Sequence, residues 1–585
     1  MPMLAFMSLT DYANSLLRLL KLFEAPHAVP KNVGDGVITI GLGFNLNAKV
    51  EVRNAVFNAI LRLPPIGTGT QTQIDTESEY RERLRKVVVA NGLTVAQKIV
   101  NLNAIMAERA ADTSLNGYND NRRTTFAFDA DPTIMNAEVD SLFTNTIKAF
   151  YETDLARVFP AIAQSSNPAG FVPNFAASRE HAVLFSMLYN GGAGIIGQKL
   201  RTAIASGHRA EAWFQIRYDS NNGTNQSVAL GLAKRRIIES EVFGLYANQS
   251  GATLQEAQDA YRMLTLHRNE VLAQEARWGV TPDGVRGVAR DVQGRTALEA
   301  AIVDSSGISD LLDNLAVNTL VENLTPAQTA LLAWVNTQLP AGETPIAAAM
   351  ITHAAAIYVD PGRYTPTATF NPNNDATLDA LRFDSFGVEI NENNLMLGEA
   401  GDDVLYGAGG NDILFGGDGG DTLYGGKGTD RRAGGAGYDT YVIDLRDGAS
   451  TDRIVDSDGK GRIIVIDANG NVVNTEVLQR QGTANVWTSE DRDGNIFATI
   501  NHQSPWKLTL ADGSVIDLGA NFDPSGFGMT LQEDNAAITS TLIGDFTKKT
   551  NPEGTRHHTD ADGDYTNAAA QPGAVDVDHG FVYFA

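Results

Sequence analysis

Cysteine is absent from the 585-residue sequence. This absence excludes disulfide bonds, thiolate catalysis and cysteine-based zinc sites. It leaves export open, because a chain can leave a cell without relying on disulfides. The length exceeds what one hydrophobic core supports, so about two to four domains are expected.

Positive charge is scarce. The chain has 45 Lys and Arg residues against 70 Asp and Glu residues, which gives a formal net charge of −25. Nucleic-acid binding needs basic patches that neutralise phosphates, so no nucleic acid is expected as a partner. The excess of acidic residues indicates metal ligands or solubilising charge.

Long apolar runs are also missing. No stretch approaches the roughly 18 apolar residues that cross a bilayer, so no transmembrane segment is expected. The first residues, "MPMLAFMSLTDYANSLLRLLKLFE", lack a basic region followed by an apolar core and a cleavage site. We therefore expect no Sec-type leader, and any export would use a route that reads another signal.

The composition changes along the chain from helix-forming to Gly-, Asp- and strand-rich, with "YTPTATFNPNNDATLD" at the change. This predicts a multidomain α+β protein. The predicted boundaries are 1–249 for a mainly α N-terminal domain with a small β-hairpin, 250–360 for a helical region, 361–395 for a linker or irregular segment, 396–445 for a repeat module, 446–545 for a β-rich domain and 546–585 for a tail.

Five nonapeptides occupy residues 398–442: "GEAGDDVLY", "GAGGNDILF", "GGDGGDTLY", "GGKGTDRRA" and "GGAGYDTYV". Glycine permits positive φ angles that turn backbone carbonyls toward a common point, and each Asp adds a carboxylate oxygen. Calcium takes six to eight such oxygens. The pattern resembles the RTX calcium-binding repeat rather than a disordered Gly/Asp linker. The resemblance implies a parallel β-roll with ligands at Asp403, Asp412, Asp421, Asp430, Asp439, Gly401, Gly410 and Gly419.

The fourth repeat departs from the pattern. Arg432 stands where the first three repeats have Leu405, Leu414 and Leu423, and a charged side chain is costly to bury. Each calcium site needs ligands from two stacked turns. We therefore expect about three structural Ca²⁺ ions.

The segment after the repeats resembles the β-rich region that follows RTX repeats in secreted Gram-negative proteins. That resemblance implies a type I secretion apparatus as partner and an extracellular location, and the final "DVDHGFVYFA" has the acidic-then-apolar character of such export signals. "DADGDYTN" at 560–567 resembles the first half of an EF-hand loop but has Gln571 in place of the last Glu. Whether it binds an ion is open.

The N-terminal region carries other motifs. "LKLFEAPHAVPKNVGDGVITIGLGFNLN" places Glu24 at the end of a helix and Thr39 at the start of "TIGLGF". "HAVLFSMLYNGGAGIIGQKL" and "GLAKRRIIESEVFGLY" follow further on. In this order they resemble the phage-type lysozymes (glycoside hydrolase family 24 and its toxin relatives), over about half of residues 9–247.

The resemblance implies a peptidoglycan glycosidase. Glu24 would protonate the leaving oxygen, kept protonated by apolar neighbours, and Thr39 would orient the attacking water. The family's catalytic Asp falls at Val33 here. Asp35 either replaces it or only caps the turn. Tyr189, Asn190, Arg217 and Tyr218 are candidates for substrate binding, with core packing or helix-surface roles as the alternative.

The sequence leaves three alternative functions for the protein. The first is an exported N-acetylmuramidase that cuts the bacterial cell wall, used against competitors or in envelope remodelling. The second is an inactive RTX protein that binds glycans or stays at the surface, and the third, a phage endolysin, has no need for RTX repeats. Other hydrolase motifs such as His-Glu-x-x-His and Gly-x-Ser-x-Gly are absent. The sequence identifies no immunity protein, target organism or oligomeric state.

Overall fold

The computed structural model describes residues 8–24, 26–32, 37–61, 68–120, 122, 132–159, 178–220, 226–248, 251–305, 316–362, 375–380, 382, 389–473, 475–481, 484–490, 496–502, 504–532, 558–559 and 565–566. The chain packs as two compact units. Unit 1 comprises residues 1–249, 277–279 and 287–318, and unit 2 comprises residues 250–276, 280–286 and 319–585.

Unit 1 is mainly helical. Its first helix begins after Ser8, whose hydroxyl accepts a hydrogen bond from the backbone N–H of Asp11 at 3.0 Å. The helices of unit 1 are α1 (Leu9–Phe23), α2 (Val50–Leu61), α3 (Gln71–Val89), α4 (Val95–Ala111), α5 (Pro132–Leu142), α6 (Lys148–Val158), α7 (Arg179–Gly191), α8 (Gln198–Ser206), α9 (Arg209–Phe214), α10 (Gln226–Phe243) and α12 (Ala297–Ser305).

The centre of unit 1 is helix α7. Its residues from Arg179 to Tyr189 are buried on every face, and it packs against α1, α6 and α10. A helix buried all round is an interior helix rather than a surface one. The segment "HAVLFSMLY" therefore forms the core against which these three helices lie.

A small antiparallel sheet follows α1. Its strands are β1 (His27–Asn32), β2 (Ile38–Gly41) and β3 (Phe44–Asn45), with His27 opposite Gly41 and Thr39 opposite Asn45. The segment "GVITIGLGF" is thus divided into two strands by a turn at Leu42 and Gly43. Gly43 has a φ of +70°, which allows this tight turn.

Unit 2 combines helices α11 (Leu254–Trp278, whose last two residues belong to unit 1) and α13 (Leu320–Gln338) with a long run of strands. The strands are β4 (Ile357–Val359), β5 (Thr377–Asp379), β6 (Leu395–Ala400), β7 (Val404–Tyr406), β8 (Ile413–Asp418), β9 (Thr422–Tyr424), β10 (Arg431–Ala436), β11 (Asp439–Asp444), β12 (Thr451–Val455), β13 (Gly461–Ile466), β14 (Val472–Val473), β15 (Val477–Arg480), β16 (Val486–Glu490), β17 (Ile496–His502), β18 (Trp506–Leu510), β19 (Val515–Gly519), β20 (Thr530–Gln532), β21 (His558–Thr559) and β22 (Tyr565–Thr566).

The repeats form a parallel β-roll. Successive strands alternate between an 11-stranded and a 6-stranded sheet, so each strand pairs with the strand two places further along the chain. The apolar residues of the first, second, third and fifth repeats point into a thin core that includes Leu405, Leu414, Leu423 and Tyr441. Burying one such side chain contributes only about 1.5–3 kcal/mol, so the core of each turn is small.

The roll extends past both ends of the five nonapeptides. Strands β4 and β5 pair in parallel with β6 and β7, and β12 and β13 pair in parallel with β10 and β11. The predicted linker 361–395 therefore contains one of the stacked strands, β5. The predicted helical region 250–360 is divided between the two units. Within the described residues, no helix has the length and apolarity needed to cross a membrane.

Candidate functional site

The repeat aspartates form two rows. In one row, the backbone N–H of Asp403 donates to Oδ1 of Asp421 at 2.8 Å, and that of Asp421 donates to Oδ1 of Asp439 at 2.9 Å. In the other row, the N–H of Asp412 donates to Oδ1 of Asp430 at 2.9 Å. Each Asp thus binds the turn two repeats before it through one oxygen.

The second oxygen of these carboxylates has a different environment. Oδ2 of all five is buried and receives no hydrogen bond within the part of the chain that the structure describes. Beside it lies the first glycine of the repeat. A Cβ on Gly398 would stand 2.6 Å from Oδ2 of Asp403 and 2.5 Å from the carbonyl oxygen of Gly416, so no side chain fits there. Oxygen atoms around a space without side chains suit a hard cation such as Ca²⁺.

The electrostatic environment of the repeat aspartates also favours a bound cation. Burial, with further contributions from neighbouring carboxylates, raises the pKa of these Asp side chains to about 7 to 9. A divalent cation would favour the ionised form. Among the described residues no three His, Asp or Glu side chains gather to hold a metal. Calcium would therefore be held by single carboxylates together with backbone carbonyls.

Glycine is required at the predicted turn positions for two reasons. Gly401, Gly410 and Gly419 have φ angles of 129°, 118° and 137°, which L-amino acids with side chains rarely adopt. A Cβ at Gly410 or Gly419 would also collide with the carbonyl oxygen of the turn stacked above it. These glycines thus let the turns stack closely enough for their carbonyls to share one ion.

The sequence predicted that Arg432 would be costly to bury, yet its side chain is buried and both terminal nitrogens donate hydrogen bonds. It is 1% exposed, and its guanidinium donates to Oδ2 of Asp452 and to the carbonyl of Val442, both at 2.7 Å. Asp452 stands in register with the repeat aspartates, since its Oδ1 accepts the N–H of Asp430 at 3.0 Å. A buried charge is tolerated here because it has a charged partner.

Glu24 lies at the end of α1 against the turn of the hairpin. Its backbone N–H donates to the carbonyl of Leu20 at 2.8 Å, and its own backbone is no longer helical, so the helix ends there. Its side chain is 25% exposed, and Oε2 faces Gly43, where a Cβ would come within 2.6 Å. Glycine at position 43 therefore leaves the space that the carboxylate occupies.

Arg235 on α10 holds the other oxygen of Glu24. Its Nη1 donates to Oε1 at 2.9 Å, and its guanidinium lies 4.4 Å from the ring centre of Phe23. The same guanidinium donates to Glu239 and Ser186. The neighbours of Glu24 thus include a buried ionic network, where the sequence predicted apolar side chains alone.

Of the remaining catalytic candidates, Thr39 lies within the described residues and Asp35 does not. Thr39 is 8% exposed on β2, with its hydroxyl 3.3 Å from Nε2 of His27 on β1. His27 was not among the sequence candidates. Asp35 and Val33 lie outside the described residues, so the role of Asp35 stays a prediction.

Of the substrate-binding candidates, Tyr189 lies near Glu24. Tyr189 donates from its hydroxyl to the carbonyl of Leu42 at 2.6 Å, which ties the hairpin turn to α7. Burial, then the nearby Tyr151 and Glu24, raises the pKa of Tyr189 well above 10, so it stays a neutral donor. Asn190 is exposed, and its Oδ1 accepts from Arg236 at 3.4 Å.

Arg217 and Tyr218 are both buried. Arg217 bonds to Glu241 at 2.6 Å and to the carbonyl of Asn318 at 3.0 Å, and it lies over the rings of Trp213 and Tyr218. These contacts favour the packing role over substrate binding for this pair. Two further predictions fall outside the described residues. They concern the end segment "DVDHGFVYFA" and the ion-binding candidate 560–567, of which only the short strand at 565–566 is described.

Comparison with protein families matches residues 391–423 and 406–441 to the RTX calcium-binding nonapeptide repeat, in four copies. The match begins upstream of the five nonapeptides and ends within the last of them. No curated protein and no solved structure matches the chain. The repeat match and the paired aspartate rows together support a calcium-binding RTX module in unit 2, of a type that is typical of secreted proteins.

Proposed function

We propose that the chain is an exported peptidoglycan hydrolase of the N-acetylmuramidase type, carried by a calcium-folded RTX module. The observation that supports the enzymatic part best is the placement of Glu24. One carboxylate stands at the junction of a helix and a glycine-containing hairpin, bound by Arg235 on one oxygen and turned toward the hairpin with the other.

The proposed roles follow from glycoside hydrolysis. The leaving oxygen needs a proton from a carboxylic acid, and the sugar centre needs a water delivered to it. Glu24 would carry the proton on Oε2, while Arg235 fixes the orientation of the side chain through Oε1. Thr39 would orient the water from the same hairpin. Asp35 is the remaining candidate for a second carboxylate.

The proposed export rests on the RTX repeats. A glycine-rich roll with a thin core loses much conformational entropy on folding, and calcium binding would supply the missing stabilisation. The chain would then pass a type I secretion apparatus unfolded and fold in a calcium-rich exterior. Peptidoglycan would be the substrate outside.

The test is digestion of purified peptidoglycan in the presence of Ca²⁺, with released muropeptides identified by mass spectrometry. Wild type should release products with new reducing ends. Glu24→Gln should lower this release by at least about 10²-fold, because Gln has the same shape but cannot donate the proton. Glu79→Gln, an exposed glutamate on α3, is the matched control and should keep full activity.

Undiminished release by Glu24→Gln would remove this residue from the mechanism. If wild type binds peptidoglycan but releases nothing, the second function, an inactive glycan-binding RTX protein, replaces the first. The lack of an Asp at position 33 is the observation that favours this second function. Pull-down with insoluble peptidoglycan separates it from a chain that does not recognise glycan at all.

A further inference from the structure

The roll has one more turn upstream of its nonapeptides. Val359 pairs with Leu397, so Asp360 stands opposite Gly398, the first residue of the first nonapeptide. The N–H of Asp360 donates to the carbonyl of Leu397 at 2.9 Å. The same bond recurs inside the roll, where the N–H of Gly407 donates to the carbonyl of Tyr424 at 2.9 Å.

The end of this upstream turn is also in register. Thr377 pairs with Val404, so Ala376 stands opposite Asp403. The N–H of Ala376 donates to Oδ1 of Asp403 at 2.6 Å, the bond that Asp403 itself makes to Asp421. Residues 360–362 and 375–376 therefore lie in register with the two ends of the turn 398–403, and we call these two described segments together the upstream turn.

In the upstream turn, an aspartate stands at the first position instead of the sixth. A nonapeptide has Gly at its first position and Asp at its sixth, whereas the upstream turn has Asp360 at the first and Ala376 at the sixth. In the first nonapeptide, a Cβ on Gly398 would stand 2.6 Å from Oδ2 of Asp403. A carboxylate attached at the first position therefore reaches the space that the sixth-position carboxylate fills elsewhere, and Ala376 leaves that space open.

The Asp360 side chain has the same signature as the repeat aspartates. Its residue is 0% exposed. Oδ1 accepts the N–H of Gly362 at 2.6 Å, while Oδ2 is buried and receives no hydrogen bond from any described residue. Arg262 acts on Asp360 through its charge, but its guanidinium is bound to Glu399 at 2.5 Å. A buried carboxylate oxygen without a donor is costly unless a cation binds it.

We propose that Asp360 is a ligand of a calcium ion bound between the upstream turn and the turn 398–403. The carbonyl of Gly398 would face the first position of the upstream turn, as the carbonyl of Gly416 faces Gly398. The ion would be held by one carboxylate and backbone carbonyls, as at the other turns. This site rests on the calcium binding of the roll. Asp360 lies outside the residues that match the repeat family, whereas the turn 398–403 lies within them.

The alternative is that Asp360 only caps a turn, and a second turn-capping aspartate allows this role to be tested separately. Asp523 accepts the N–H of Ser525 at 3.0 Å in the same way that Asp360 accepts that of Gly362. Asp523 lies in a turn outside the rows. Asp523→Asn is therefore the matched control for loss of a turn-capping carboxylate without loss of an ion.

The experiment counts calcium on the full chain. Wild type and variants are dialysed against about 10 mM Ca²⁺, roughly tenfold above the weak end of extracellular calcium affinities, and bound calcium is measured by mass spectrometry of the metal. Asp360→Asn should bind one ion fewer than wild type, and Asp523→Asn the same number. The double variant Asp360→Gly with Ala376→Asp restores the nonapeptide arrangement and should recover the lost ion.

Two results would overturn the proposal. One is an unchanged ion count in Asp360→Asn. The other is a double variant that folds, as judged by hydrogen exchange in β6–β9, and still binds one ion fewer than wild type. If Asp360→Asn fails to fold even in calcium, the double variant decides the question alone. A wild type that binds no calcium would instead reject the RTX part of the proposed function.

Discussion

At the scale of single residues, the two candidate sites depend on what is missing from a side chain as much as on what is present. Gly43 has no Cβ where Glu24 needs space, and Gly398 has none where Asp403 needs it. In both places the carboxylate occupies the space that a side chain on the glycine would fill. Glycine in these positions is therefore part of the chemistry of the site and not only of the turn.

Gly43→Ala tests this for Glu24. The new methyl group would stand 2.6 Å from Oε2, and the residue would keep a φ of +70°. We expect activity to fall at least about tenfold and stability to fall by about 1–3 kcal/mol. Muropeptide release and thermal unfolding measure the two effects.

Gly92→Ala is the matched control for that variant. It has a φ of +85° and no atom within 4 Å of the added Cβ, so it carries only the backbone strain. It should lose a similar amount of stability and no activity. Equal activity in both variants would show that the space beside Glu24 is unimportant.

Arg432 gives a second prediction at this scale. Its guanidinium and the Asp452 carboxylate are 1% and 4% exposed at the side chain. Asp452→Asn leaves a buried charge without its partner, which should cost about 3–5 kcal/mol of unfolding free energy. Adding Arg432→Leu should recover most of this loss, because the apolar side chain matches Leu405, Leu414 and Leu423.

The measurement is a double-mutant cycle by denaturant unfolding in excess calcium, with Arg432→Leu alone as the fourth member. A double variant no more stable than Asp452→Asn would mean that Arg432 contributes little through this pair.

At the scale of elements, the sequence predicted what has a local period. The nine-residue repeat was visible, because it depends on residues close together in the chain. The Asp360 turn was not visible, since residues 363–374 separate its two parts and remove the period. Arg235 was not predicted either, because it meets Glu24 across 211 residues of sequence.

The aspartate rows predict how pH acts on the roll. Their pKa values are raised to about 7 to 9 in the folded chain, against an ordinary value of 3.8. Without calcium, the folded roll therefore binds more protons than the unfolded chain above about pH 4. Its stability should fall as pH rises toward these values, by up to about 1.4 kcal/mol per pH unit for each such Asp.

Calcium competes with those protons, so its stabilising effect should be greater at pH 8 than at pH 5. Thermal unfolding of calcium-stripped and calcium-loaded protein across this range measures both slopes. A calcium-stripped roll that becomes more stable as pH rises would contradict the assignment of the buried carboxyls.

At the scale of the whole molecule, the two units should respond differently to calcium. All five repeat aspartates and Asp360 lie in unit 2, whereas Glu24 and Arg235 lie in unit 1. A site with a dissociation constant of about 10⁻⁴–10⁻³ M adds about 1.4–2.7 kcal/mol at about 10 mM calcium, and several stacked sites add up. The roll should thus change from unfolded to folded over this range, while the core around α7 stays as it is.

Hydrogen exchange on the full chain locates this response without cutting the protein. In EGTA, amides of β6–β11 should exchange quickly, because their turns lack the ion that offsets carboxylate repulsion and glycine entropy. In calcium they should become protected by at least about 10²-fold, with little change in α1, α7 and α10. Equal protection of the roll in EGTA and in calcium would reject the calcium switch and, with it, the idea that the chain leaves the cell unfolded and folds on meeting calcium. A rise in α7 of the same size would show instead that calcium stabilises both units, and the ions would then be more than a device for folding the export module.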